Sequence, residues 1–249
     1  MVSARKRYKR KIRLINFVAE AIGSALFSLL YFTFIARFLS PDFDFGEILL
    51  GLLIGLAYFV GVYIPFHTYR IHIIPFISII RALQKKKANI LYYKLPAQFL
   101  GAFIGTWVFS TFNNFTGGES VSEIWTYHIY NPTDLLFFNG LTVFVLCYLF
   151  YIIQLIFKSM GFTSTFFFAF VIQVVFIFTC HVSNITAMNV FGYFSLHLIE
   201  GTVSFDGNWF MNLLIHFIAP SLVAFLIYFY IRDRYVERSN RRVSNQQVI

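Results

Sequence analysis

The chain has 249 residues, 58% of them hydrophobic and only 12% charged, with a mean hydropathy of +0.69. Soluble domains carry about 25% charged residues, so a single water-soluble core of this length would leave too much apolar surface exposed. The net charge of +9 does not describe a nucleic-acid-binding face, because Lys and Arg collect in Arg5–Arg13 and Arg232–Arg242, beside apolar runs, where they orient a membrane protein and attract anionic lipid.

In chain order, a basic segment at 1–13 leads into apolar runs at about 14–39, 47–66, 92–113, 134–157, 162–182 and 208–231, and a second basic segment occupies 232–249. About 20 apolar residues cross a bilayer, so six spans are expected. The first run is too long for the core of a cleavable signal. Two shorter apolar stretches, 73–84 and 188–200, directly follow the second and fifth runs. Helices this short at membrane depth are buried or re-entrant; the alternative is a pair of surface helices. Their matching placement favours re-entry and divides the chain into halves at about 14–113 and 134–231.

Loop charge agrees. With both termini in the cytoplasm, every Lys and Arg except Arg37 and Arg70 falls on the inner side. Asp42, Asp44, Glu47, Glu119, Glu123, Asp134 and Asp206 fall outside, the asymmetry of the positive-inside rule. The first short helix then enters from the cytoplasmic side and the second from outside, which makes the chain an inverted repeat. Gly51-Leu-Leu-Ile-Gly55 and Gly101-Ala-Phe-Ile-Gly105 are small-residue faces that allow close helix approach in lipid. Cys147 and Cys180 lie within apolar runs, so neither a disulfide framework nor a Cys-based metal site is expected.

The first run contains Ala19-Glu20-Ala21-Ile22-Gly23-Ser24, and the third contains Ala97-Gln98-Phe99-Leu100-Gly101-Ala102-Phe103-Ile104-Gly105. The sixth contains Ala219-Pro220. Together with the layout, these resemble the A-E-x-x-G-T, A-Q-x-x-G-A-x-x-G and Gly-Pro signatures of the major intrinsic protein family, the aquaporins and glycerol facilitators. The resemblance covers roughly residues 14–231. The two half-helix boxes are degenerate. The family's H-x-N-P-A-V-T meets His72-Ile73-Ile74-Pro75-Phe76-Ile77-Ser78, and M-N-P-A-R-S-F meets Met188-Asn189-Val190-Phe191-Gly192-Tyr193-Phe194. The family's fourth-span Glu has no counterpart in Phe138-Asn139-Gly140-Leu141-Thr142.

The resemblance implies an all-α membrane protein with six transmembrane helices and two re-entrant half-helices. It implies a passive cell-membrane channel, a homotetramer with one pore per subunit, and no cofactor, catalytic or metal site. The pore centre would be formed by Ile74, Pro75, Phe76, Asn189, Val190 and Phe191. Counting from the boxes puts the outer constriction at Ile54, Ile177, Thr186 and Gly192. Arg70 and His72 would line the cytoplasmic vestibule, and Glu20 would be a structural carboxylate holding loop carbonyls. Without the family's filter Arg, the throat loses a fixed cation and its strongest donors. It should then pass small neutral solutes such as glycerol rather than water alone. The rival expectation is a non-conducting structural or adhesion protein on the same scaffold, with Phe76, Val190 and Phe191 filling the centre. An enzyme with an intramembrane His site is a third, and His67 and His72 have no carboxylate or Cys nearby to complete one.

Overall fold

The computed structural model describes residues 2–38, 46–65, 71–117, 132–157, 161–179, 188–201 and 207–231. Helix α1, Val2–Phe38, is 37 residues long, about 55 Å at the α-helical rise. Only Ile12–Phe38 has the composition of a span. The basic segment ahead of the first apolar run continues the same helix, as expected where good helix formers run without Gly or Pro. Helix α2, Gly46–Tyr63, ends just before Pro65.

Helix α3, Pro75–Gln84, has ten residues. Pro75 takes the first helical position, where its missing N–H is no loss. Ile74 precedes it in extended backbone and offers no side-chain cap. At the other end Lys86 adopts φ 49°, and Lys87 N donates to Ala82 O at 2.9 Å while Lys86 N donates to Leu83 O at 3.0 Å. That pair of bonds is a Schellman closure, built here on Lys rather than on the usual Gly.

A short 3-10 turn at Ala88–Ile90 then leads into α4, Leu91–Phe115. Helix α5, Pro132–Phe157, again starts on a Pro, and α6 covers Phe162–Thr179. Helix α7, Val190–Ile199, also has ten residues, and Asn189 caps it. Helix α8, Gly207–Leu213, passes through a π turn at Leu214–Ile218 and continues as α-helix to residue 231. Pro220 explains the π turn: it has no N–H for the His216 carbonyl one turn earlier, so the ladder widens there.

Among the described residues four helical segments are long and apolar enough to cross a membrane: Ile12–Phe38, Ala88–Phe115, Pro132–Phe157 and Phe210–Ile231. The second and fifth runs form the 18-residue α2 and α6, whose neighbouring residues on one or both sides lie outside the described set.

Close backbone approach organises the bundle. A Cβ on Gly101 or Gly105 would fall on the carbonyls of Ala21 and Ala25, so α4 meets α1 with almost no side chain between them. Gly23 and Gly61 join α1 to α2: a Cβ on Gly61 would come within 2.8 Å of Gly23 O. A Cβ on Gly55 would come within 2.8 Å of Ala169 O, and one on Gly51 would strike Ile177, so α2 lies directly on α6. The pairs α1–α2 and α1–α4 recur in the second half as α5–α6 and α5 with the π turn. Helix α3 packs on α4 and α5, and α7 packs on α4. Each short helix therefore touches a long helix of the other half.

Candidate functional site

The first short helix hangs from a buried carboxylate. Glu20 on α1 is 1% exposed. Its Oε1 accepts from His72 N at 3.0 Å and from Gln98 Nε2 at 2.7 Å, and its Oε2 accepts from Lys94 Nζ at 2.6 Å. Gln98 Nε2 also donates to His72 O and lies 2.7 Å from Ser78 Oγ. Ser78 Oγ donates to His72 O at 3.1 Å. Both the N–H and the C=O of His72, three residues ahead of α3, are thus fixed by side chains of α1, α3 and α4. A charge removed from water needs a partner, and Lys94 supplies it. Lys94, one of the basic residues assigned above to the inner side, is buried at 7% exposure against Glu20.

The second short helix is tied by an amide. Asn189, 5% exposed, accepts at Oδ1 from Gly192 N at 3.2 Å and from Ser28 Oγ at 3.1 Å. The first bond caps α7, as Asn does best. The second reaches across the bundle to α1. Among the described residues, Asn189 Nδ2, which is buried, has no hydrogen-bond partner. A Cβ at Gly192 would lie 2.6 Å from Asn189 Cγ and Oδ1. The amide occupies the space where an Arg side chain at 192 would begin.

Rings join the starts of the two short helices. Phe217, in the π turn, lies 6.2 Å from Phe76 of α3 and 5.7 Å from Phe191 of α7, centroid to centroid. Phe191 in turn meets Phe99 of α4 edge-on at 5.7 Å. Phe76 and Phe191 therefore pack toward α4 and α8. A separate ring chain crosses the bundle: Phe27 to Tyr58 at 6.2 Å, Tyr58 to Phe168 at 5.4 Å and Phe168 to Phe150 at 5.0 Å. All four rings are buried. His72 touches Phe150 edge-on at 5.7 Å, and the Arg81 guanidinium lies 5.4 Å over the same ring.

Of the residues singled out from sequence, Glu20, His72, Ile74, Pro75, Phe76, Asn189, Val190, Phe191 and Gly192 are brought around the two short helices. Ile54 is fully buried on α2, and Ile177 packs on Gly51 one turn away. Arg70, Thr186 and His67 lie outside the described residues. Sequence reading missed four groups. Lys94 precedes Gln98 by one turn, and Ser24 and Ser28 continue the Glu20 face of α1 at four-residue spacing, a helical periodicity visible in the sequence. The fourth is the pair Asn139 Nδ2 and His216 Nδ1, 3.0 Å apart and both buried. It links α5 to α8 as Glu20 and Gln98 link α1 to α4. Tyr193 lies against His216 and His197, with ring centroids at 4.8 and 4.4 Å. Among the described residues no cluster of three His, Cys, Asp or Glu side chains is placed to hold a metal.

This is the fold of an aquaporin-like helical membrane protein. The chain is similar to the X-ray structure of the aquaglyceroporin from Plasmodium falciparum, with a TM-score of 0.65 and 16% identity over 88% of this chain and 95% of that one. No family model matches the sequence, and no curated protein does. At that identity the likeness establishes the architecture.

Proposed function

We propose that the chain is a passive transmembrane channel for small uncharged solutes, glycerol-like polyols and water, and not an enzyme. In this reading residues 14–231 form the channel, with six spans in two inverted halves. Helices α3 and α7 enter from opposite faces, and both basic ends, 1–13 and 232–249, lie in the cytoplasm. The channel sits in the cell membrane as a homotetramer with one pore in each subunit. Arg70 and His72 belong to the inner vestibule, and Ile54, Ile177, Thr186 and Gly192 to the outer throat.

One observation carries the reading: the Asn189 amide at the start of α7. Its oxygen is held by Gly192 N and Ser28 Oγ while its buried nitrogen has no partner among the described residues. A buried amide donor left open costs free energy and is repaid when a passing molecule accepts from it. The positive end of the α7 dipole points the same way, which favours neutral solutes and opposes cations. Ile74 contributes no second amide, and Gly192 no guanidinium, so selection for water over larger neutral molecules is weak.

A second reading is a non-conducting scaffold. The Phe27, Tyr58, Phe168 and Phe150 chain favours it, since rings about 5–6 Å apart leave little free width between α1, α2, α6 and α5. Stopped-flow light scattering of proteoliposomes separates the two. The channel reading expects glycerol and urea uptake well above protein-free vesicles. Uptake equal to the lipid background for glycerol, urea and water establishes the scaffold instead.

A further inference from the structure

The chain of rings across the bundle ends on Phe150, and α3 holds the other side of that ring. Phe150 of α5 is fully buried. Phe168 meets it at 5.0 Å, His72 meets it edge-on at 5.7 Å, and the Arg81 guanidinium lies 5.4 Å over its centroid. His72 and Arg81 belong to one limb of the chain. The backbone of His72 is fixed by Glu20, Gln98 and Ser78, and Arg81 stands one turn beyond Ser78 on α3. Arg81 Nη1 also donates to Gln84 Oε1 at 3.5 Å, within the same helix.

A guanidinium within about 6 Å of a ring centroid is drawn to the ring, and more strongly where water is excluded. The attraction is directional, because the face of an aromatic ring is negative and its edge positive. A Phe packed only by aliphatic side chains can change rotamer at little cost. Phe150 cannot, since turning its face away from Arg81 forfeits that contact, and Arg81 is carried by a helix that the Glu20 network anchors. The place of the ring gives this a consequence. Phe27 and Tyr58 come from the first half of the chain, and Phe168 and Phe150 from the second. The row therefore crosses the boundary between the halves, where an inverted repeat carries its solute. At the outer throat, by contrast, Gly192 has no side chain with which to narrow a path.

We propose that Phe150 is the size-selecting residue of the channel and that Arg81 is its positioning residue. The guanidinium pins the ring beside Phe168 and so sets the width left between α3 and α6, with His72 as a second stop. Size selection is then made inside the bundle, at a ring that α3 controls. The inference deepens the channel reading and rests on it.

The test measures glycerol and water permeability in proteoliposomes, per folded protein, for wild type, Phe150→Leu, Arg81→Met and the double variant. Phe150→Leu is expected to raise the glycerol-to-water ratio. Arg81→Met, which keeps an unbranched side chain and removes the cation, is expected to raise it about three- to tenfold, the weight of one desolvated cation–π contact. The double variant is expected to match Phe150→Leu, because Arg81 acts through the ring. Arg81→Met reads the same ratio should Phe150→Leu fail to fold. A conducting wild type whose ratio is unchanged in the single variants overturns the size-selecting role. Effects of the two substitutions that add in full overturn the positioning role, as does an Arg81→Met variant that changes both permeabilities alike. A wild type at the lipid background with a single variant that conducts upholds the ring as the closing element. If wild type and every variant stay at the lipid background, the channel reading itself has failed and the inference falls with it.

Discussion

Asn189 caps a helix with one amide oxygen and leaves the amide nitrogen for something else. Gly192 makes this possible, because its Cα is where the folded-back amide rests; a Cβ there would sit 2.6 Å from Asn189 Cγ and Oδ1. Gly192→Ala should therefore swing the amide away from both Gly192 N and Ser28. The cap loss is about 1 kcal/mol, read as a lowered thermal midpoint in detergent, and solute flux should fall on the order of fivefold with the displaced donor. Gly192→Arg should do the same and no more, because the damage is done by the first side-chain carbon. Should Arg suppress glycerol flux while Ala leaves it intact, position 192 acts on the throat by bulk and charge, and the amide argument fails. Asn189 and Glu20 were legible in the sequence because short motifs mark them. The place of Ser28 on the Glu20 face shows in its four-residue spacing, but its bond to Asn189 does not, since it joins residues 161 positions apart and no local pattern announces such a contact.

Between elements, the two short helices are held by different chemistry. Helix α3 is braced by an ion pair and its hydrogen bonds: Glu20 and Lys94, with Gln98, Ser78 and the backbone of His72. Breaking a buried pair from one side strands a charge and costs about 3–5 kcal/mol, whereas replacing both partners is often close to neutral. Lys94→Met should therefore abolish or severely lower the yield of folded protein, and Glu20→Gln with Lys94→Met should restore most of it. Thermal unfolding of the detergent-purified variants measures the coupling as a double-mutant cycle. Additive losses would mean that Lys94 snorkels to the interface and that Glu20 relies on Gln98 and His72 alone. In the second half the equivalent link is neutral, Asn139 with His216. The sequence showed the missing acid at that place but not its replacement, because a lone Asn and a lone His far apart in the chain carry no spacing signal.

At the scale of the whole molecule, the run lengths pointed to an all-helical membrane fold and two Gly-rich faces marked close helix approach, but which helices meet was visible only in the structure, where backbone contact at Gly23, Gly55, Gly101 and Gly105 fixes the pairs. The interior was harder to foresee. In a chain with 34 Phe and 15 Tyr, aromatics face lipid and core alike, and composition does not sort them. Phe76 and Phe191, the residues at the Ala positions of the two boxes, go to Phe217 and Phe99. Across the bundle stand Phe27, Tyr58, Phe168 and Phe150, four residues from four different helices.

If a solute moves through the bundle, this chain of rings sets how fast it moves, and Phe168 touches the rings on both sides of it. Phe168→Leu removes the ring at a cost of roughly 1–2 kcal/mol, small enough for the bundle to stay folded. Water permeability per folded protein is expected to rise severalfold, because the gap between Tyr58 and Phe150 is no longer bridged. A variant that folds normally and leaves permeability at the wild-type level would place the rings in the packing of the bundle and outside any conduction path.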